Sequence, residues 1–178
     1  MAVKFQKEIE VKGIENIANI IAVAIRTAPK SKGIDNIATA VITGNDILKI
    51  RKQMKSYGEN QNIPFFVRDY KCTEEIAAII LVGVKKNPLG LPDCGYCGFK
   101  NCKECTDNGA NCFFNIIDLG IAVSSAVNSA SILKTDTRIM YSIGRAARDL
   151  KILPEQYNIV LGIPLSVTGK SPFFDRQN

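Results

Sequence analysis

Histidine and tryptophan are both missing from this sequence. Without an imidazole there is no His-containing zinc site, no Ser-His-Asp or Cys-His catalytic arrangement, and no histidine acid–base step. Any metal must therefore be held by Cys, Asp or Glu. Aromatic residues are scarce, at 7%, so the core must come mainly from Ile, Val, Leu and Ala. Long apolar runs are lacking as well, since none reaches the roughly 18 residues of a membrane helix. The segment 1–10 is charged and carries no apolar stretch followed by a small-residue cleavage site, so no secretory signal is read there. These absences lead us to expect a cytoplasmic protein without a membrane partner.

The 178 residues suffice for one domain with its own core, and the apolar share of 46% is ordinary. The formal net charge is +6, but Lys and Arg are scattered along the chain. The densest run, Lys49, Arg51, Lys52 and Lys55, falls on a predicted helix and reads as a solvated face. No nucleic-acid recognition motif accompanies it, so no nucleic-acid partner is expected. Positive charge would also suit an anionic cofactor.

Periodicity divides the chain into alternating helices and strands. Residues 13–26 place Ile14, Ile17, Ala18, Ile21 and Ile25 at helical spacing. Residues 37–43 read as a buried strand, Asn45 as a cap for a helix over about 46–57, and 76–84 as containing a second strand. A helix over about 114–133 is apolar or small on nearly every face, which predicts a central element packed all round. A helix at 138–149 and a strand at 158–163 complete the reading. Between them, 87–111 is rich in Pro, Gly, Asn and Cys, and a loop this long needs something to order it.

Bound metal would supply that order. Of the six cysteines, Cys72 stands alone and five are packed between 94 and 112, a clustering that points to metal rather than disulfides in a chain without an export signal. Cys94, Cys97 and Cys102 make a C-x2-C-x4-C run. Gly95 and Gly98 free its backbone to wrap closely and offer N–H groups to sulfur. A four-iron cluster needs a fourth thiolate, either Cys105 or Cys112. The Asp107-Asn108-Gly109 turn is suited to bring the chain back and present Cys112. Lys100 and Lys103 would offset the cluster's negative charge. Zinc also accepts four thiolates, but its paired sites usually stand about 15–20 residues apart, so the compact spacing favours iron–sulfur over a zinc-stapled interaction protein. Cys72 reads as a small core hydrophobe. Asp118 and Asp136 are acid–base candidates by position only, and such carboxylates are usually caps.

Several stretches taken together resemble the uncharacterised prokaryotic proteins that contain a ferredoxin domain. They are Asp93-Cys94-Gly95-Tyr96-Cys97-Gly98, Asn111-Cys112, Asp118-Leu119-Gly120-Ile121-Ala122, Arg138-Ile139-Met140-Tyr141 and Gly162-Ile163-Pro164-Leu165-Ser166. The resemblance implies a 4Fe-4S cluster whose fourth ligand lies well downstream, which favours Cys112. More distantly, Ala28-Pro29 followed by Ser31, Leu119-Gly120-Ile121-Ala122, and Gly162-Ile163-Pro164 with Lys170 and Arg176 look like the FMN-dependent nitroreductase family. That likeness implies an α+β fold with a mixed β-sheet flanked by helices, formed by residues 1–178 as a single domain with the Cys-rich insertion at about 87–112. It further implies a homodimer and FMN contacted by Ser31, Lys170 and Arg176, while the cluster itself points to a redox partner protein. The family's N-terminal Arg-Arg-Ser-x-Arg pattern is missing, since Lys4, Lys7 and Lys12 are the only early cations.

Overall fold

The computed structural model describes residues 3–174. Helix α1 (Gln6–Thr27) buries Ile14, Ala18, Ile21 and Ile25, one stripe at steps of four, three and four residues. After Pro29 a single 3-10 turn, Ser31–Gly33, leads into strand β1 (Ile37–Thr43). Two helices follow, α2 (Asn45–Asn60) and α3 (Pro64–Cys72). They form an antiparallel hairpin, with Tyr57 against Phe66 at one end and Arg51 over the Tyr70 ring at the other. Strand β2 (Ala78–Lys85) comes next.

Beyond the cysteine segment, with its short helix α4 (Cys102–Asp107), lie helix α5 (Phe113–Ile132), strand β3 (Asp136–Thr137), helix α6 (Tyr141–Asp149) and strand β4 (Tyr157–Ser166). The sheet order is β1-β2-β4-β3. β2 is its centre and is buried on both faces, because successive side chains point to opposite sides. Ile80, Val82 and Val84 pack with α1 and α5, whereas Ile79 and Leu81 pack with α2, α3 and α6. The uninterrupted apolar run Ala78 to Val84 follows from that double coverage.

The α+β class with helices on both faces matches the sequence reading. The strand sense differs from the mixed sheet that the nitroreductase likeness implied, because β1–β2, β2–β4 and β3–β4 are all antiparallel. An even number of helices between β1 and β2 returns the chain to the end of the sheet it has just left, and one helix would have returned it to the other end.

Helix α5 departs from expectation more sharply. One face is buried through Asn115, Asp118, Leu119, Ala122, Val123, Ala126 and Ala130, but Phe113, Ile116, Ile117, Ile121 and Ile132 are exposed. It is therefore not packed all round. It is also long and apolar enough to cross a membrane by length and composition. Its scattered Ser, Asn and Gly interrupt every apolar run in the sequence, so the run-length argument overlooked it. Asn45 does not cap α2 but opens it, the cap position being Gly44 at φ 59°. Helices α3 and α4 and the two-residue β3 were not foreseen. Each is short, from two to nine residues, so its apolar pattern repeats too few times to stand out from its neighbours.

Candidate functional site

The cysteine segment is anchored where β2 ends. Asn115, fully buried on α5, donates to the carbonyls of Lys85 (3.0 Å) and Asn87 (2.6 Å) and accepts from Asn36 Nδ2 (3.1 Å). Lys32 Nζ reaches Leu89 O at 3.0 Å. These contacts fix the start of a stretch that has no sheet or long helix to hold it. Farther along, Asn158 of β4 donates to Asn111 Oδ1 at 2.6 Å and fixes its end.

Within the segment each thiol is presented by a local device. Gly95 (φ 61°) and Gly98 (φ 86°) take left-handed conformations that a side chain would strain. Gly98 N donates to Gly95 O at 2.9 Å, so the chain turns tightly between Cys94 and Cys97. Asn101 caps α4 by accepting from Glu104 N, and Glu104 Oε2 reaches back to Lys100 N at 2.7 Å. Cys102 and Cys105 thereby stand three apart on one face of α4. Gly109 (φ 63°) ends the turn, and Ala110 N returns to Cys105 O at 3.0 Å. Cys112 is the residue at the N-terminal cap of α5.

These devices converge. Cys94, Cys97, Cys102, Cys105 and Cys112 all line one cavity, with Pro88 and Phe113 among its walls. All five are free thiols; Cys105 and Cys112 are buried and the other three half-buried. Burial pushes the Cys105 thiol up to about 11, reinforced by a hydrogen bond with Cys97 and by the charges of Cys97, Cys112 and Cys102. Placing several thiolates here is costly unless a cation shares the space. Among the described residues, no group of three His, Cys, Asp or Glu side chains is drawn in around a single ion position. The five cysteines line one cavity. As an all-sulfur donor set, they suit a thiolate-ligated cluster.

The second group of candidates lies elsewhere. Ser31 N and Oγ both donate to the buried carboxylate of Asp118, at 3.0 and 2.8 Å to its nearer oxygens. Asp118 is thus no cap of its own helix; it holds the turn that follows α1. Lys30 caps the end of α1 by donating to Arg26 O (2.7 Å) and Ala28 O (2.8 Å). Burial and the nearby Arg26 lower its pKa, against the opposing pull of Asp118. Lys170 follows β4, where its carbonyl accepts from Thr168 Oγ1 at 2.7 Å. Asp136 lies in β3, and Arg176 lies outside the described residues. The structure therefore gathers the four predicted cysteine ligands and adds Cys105. It ties Ser31 to a carboxylate. Sequence reasoning missed Asn115 and the pairing of Asp118 with Ser31, although Asn115 and Asp118 are both polar at core-facing steps of α5.

Residues 108–176 match a family described as uncharacterized proteins containing a ferredoxin domain. An uncharacterized protein from Archaeoglobus fulgidus is 40% identical over 179 residues, 96% of each chain. Among solved structures, a nitroreductase with bound FMN from Desulfitobacterium hafniense superposes with a TM-score of 0.60 at 13% identity, covering 88% of this chain and 79% of that one. A nitroreductase family protein from Clostridium novyi gives 0.61 at 14% identity, covering 98% and 79%. The fold is nitroreductase-like.

Proposed function

The chain belongs to the family of uncharacterized proteins containing a ferredoxin domain, and from that premise we propose that it is a cytoplasmic iron–sulfur redox protein. In this reading Cys94, Cys97, Cys102 and Cys112 hold a 4Fe-4S cluster in an insertion at about 87–112 of a single nitroreductase-like domain. The observation that carries the reading is the convergence of thiols from three separate local structures on one cavity, in a chain without histidine. When bound, such a cluster supplies one-electron redox chemistry.

The chain's own residues bind, orient and shield. Gly95 and Gly98, both at positive φ, turn the backbone between the cysteines, and Gly95, Pro88 and Phe113 line the cavity beside the thiols. Tyr96 stacks on Phe113 with ring centroids 5.5 Å apart and extends that wall outward. The 20-residue helix α5 begins at Cys112, so its positive end faces an anionic centre. Electrons would pass to or from a redox partner protein. The exposed Ile116, Ile117 and Ile121 on α5, together with Ile20 and Val23 exposed on α1, support a homodimer through these helices.

Anaerobic purification followed by metal and sulfide analysis tests the proposal. The expected protein is brown, contains iron and acid-labile sulfide, and is bleached by dithionite. Colourless protein with stoichiometric zinc would establish the structural alternative instead. FMN, which the Desulfitobacterium hafniense nitroreductase binds, is a second reading supported by the fold alone. Ser31 does not suit a phosphate, since its two donors are occupied and a buried carboxylate stands beside them. No step is therefore assigned to flavin, and flavin released when the same preparation is denatured would establish that second reading.

A further inference from the structure

Five sulfurs line a cavity whose proposed occupant takes four. The three half-buried thiols are those of the C-x2-C-x4-C run, and the two buried ones, Cys105 and Cys112, come from different elements. Cys105 is 1% exposed and Cys112 7%, so neither has another apparent use at the surface. Cys105 lines the same cavity as Cys94, Cys97, Cys102 and Cys112. It belongs to the sulfur group, and is no stray core residue.

Resting on the iron–sulfur reading, we propose that Cys105 is a reserve ligand, able to complete the cluster's thiolate set when Cys112 is lost. Its placement does not depend on Cys112. Cys105 N donates to Asn101 O at 3.1 Å, its carbonyl accepts from Ala110 N at 3.0 Å, and the Asn101–Glu104 cap fixes α4 at its start. Cys112 is held separately, with Ile116 N donating to its carbonyl. Removing either side chain leaves the other element's hydrogen bonds intact. In taking the place, Cys105 forms one sulfur–iron bond and its thiol proton goes to solvent, as for any cysteine ligand. No electron is transferred in that step.

The test compares Cys112→Ala, Cys105→Ala and the double variant after anaerobic reconstitution of the full chain with iron and sulfide. Alanine is chosen because a serine oxygen can itself bind iron. Cys112 makes no side-chain capping bond, so its replacement leaves α5 in place, and far-UV circular dichroism checks this. We expect Cys105→Ala to keep the wild-type iron content. Cys112→Ala should keep roughly half of it, and the double variant should fall at least about tenfold. The electron paramagnetic resonance spectrum of reduced Cys112→Ala should differ in shape from wild type, marking a changed ligand. The inference is overturned if folded Cys112→Ala is as iron-poor as the double variant, or if Cys105→Ala alone empties the site. Wild-type protein without iron would instead refute the parent reading.

Discussion

At the scale of single residues, Cys105 is the position whose environment says most. Its thiol is raised from 9.0 to about 11, first by burial and then by its sulfur neighbours. A group raised on folding stabilises the fold below its unfolded pKa and loses that contribution as pH climbs through the folded one. Metal-free protein should therefore keep full stability below pH 9.0 and lose it progressively up to about pH 11, by roughly 1–3 kcal/mol. Urea denaturation across that range measures the loss, and Cys105→Ala should flatten it. An unchanged slope in that variant would assign the pH dependence elsewhere. Ser31 and Asp118 are a second residue-scale result. The sequence marked each for chemistry, and the structure joins them to each other.

Between elements, α6 approaches β4 closely enough to leave no room for side chains at two glycines. Met140 and Gly162 exchange backbone hydrogen bonds at 2.8 and 3.0 Å, which draws the start of α6 directly onto the strand. A methyl group on Gly144 would stand 1.9 Å from Val160 O, and one on Gly162 would stand 2.1 Å from Ile143 Cγ2. Gly144→Ala is therefore expected to destabilise the protein by more than about 3 kcal/mol or to prevent folding. Gly120 on α5 meets nothing within 4 Å, so Gly120→Ala should raise the stability of the isolated chain by about 0.5–1 kcal/mol. Denaturation midpoints of the two variants check the contrast. If both moved the same way, the packing argument would be wrong.

At the scale of the whole molecule, α5 presents an apolar face that a second copy of the chain would cover. Its exposed stripe of Ile116, Ile117 and Ile121 continues from Phe113 at the cavity wall, so a partner there would sit close to the cysteine site. Sedimentation equilibrium should show wild-type protein as a dimer and Ile121→Glu as a folded monomer, with an affinity loss of at least about a hundredfold. A monomeric wild type would refute the homodimer.

Local chemistry in the sequence determined much of this protein. Apolar steps of three and four set α1, an unbroken apolar run set the central strand, and glycines between closely spaced cysteines marked the site, because each signal acts between residues near in the chain. Only the tertiary structure decided which side chains meet across long separations. It set Cys105 in one cavity with the four predicted ligands, bound Ser31 to a carboxylate 87 residues away, left one face of α5 open, and made the sheet antiparallel. Those outcomes depend on how whole elements are returned and stacked, and no local pattern encodes that.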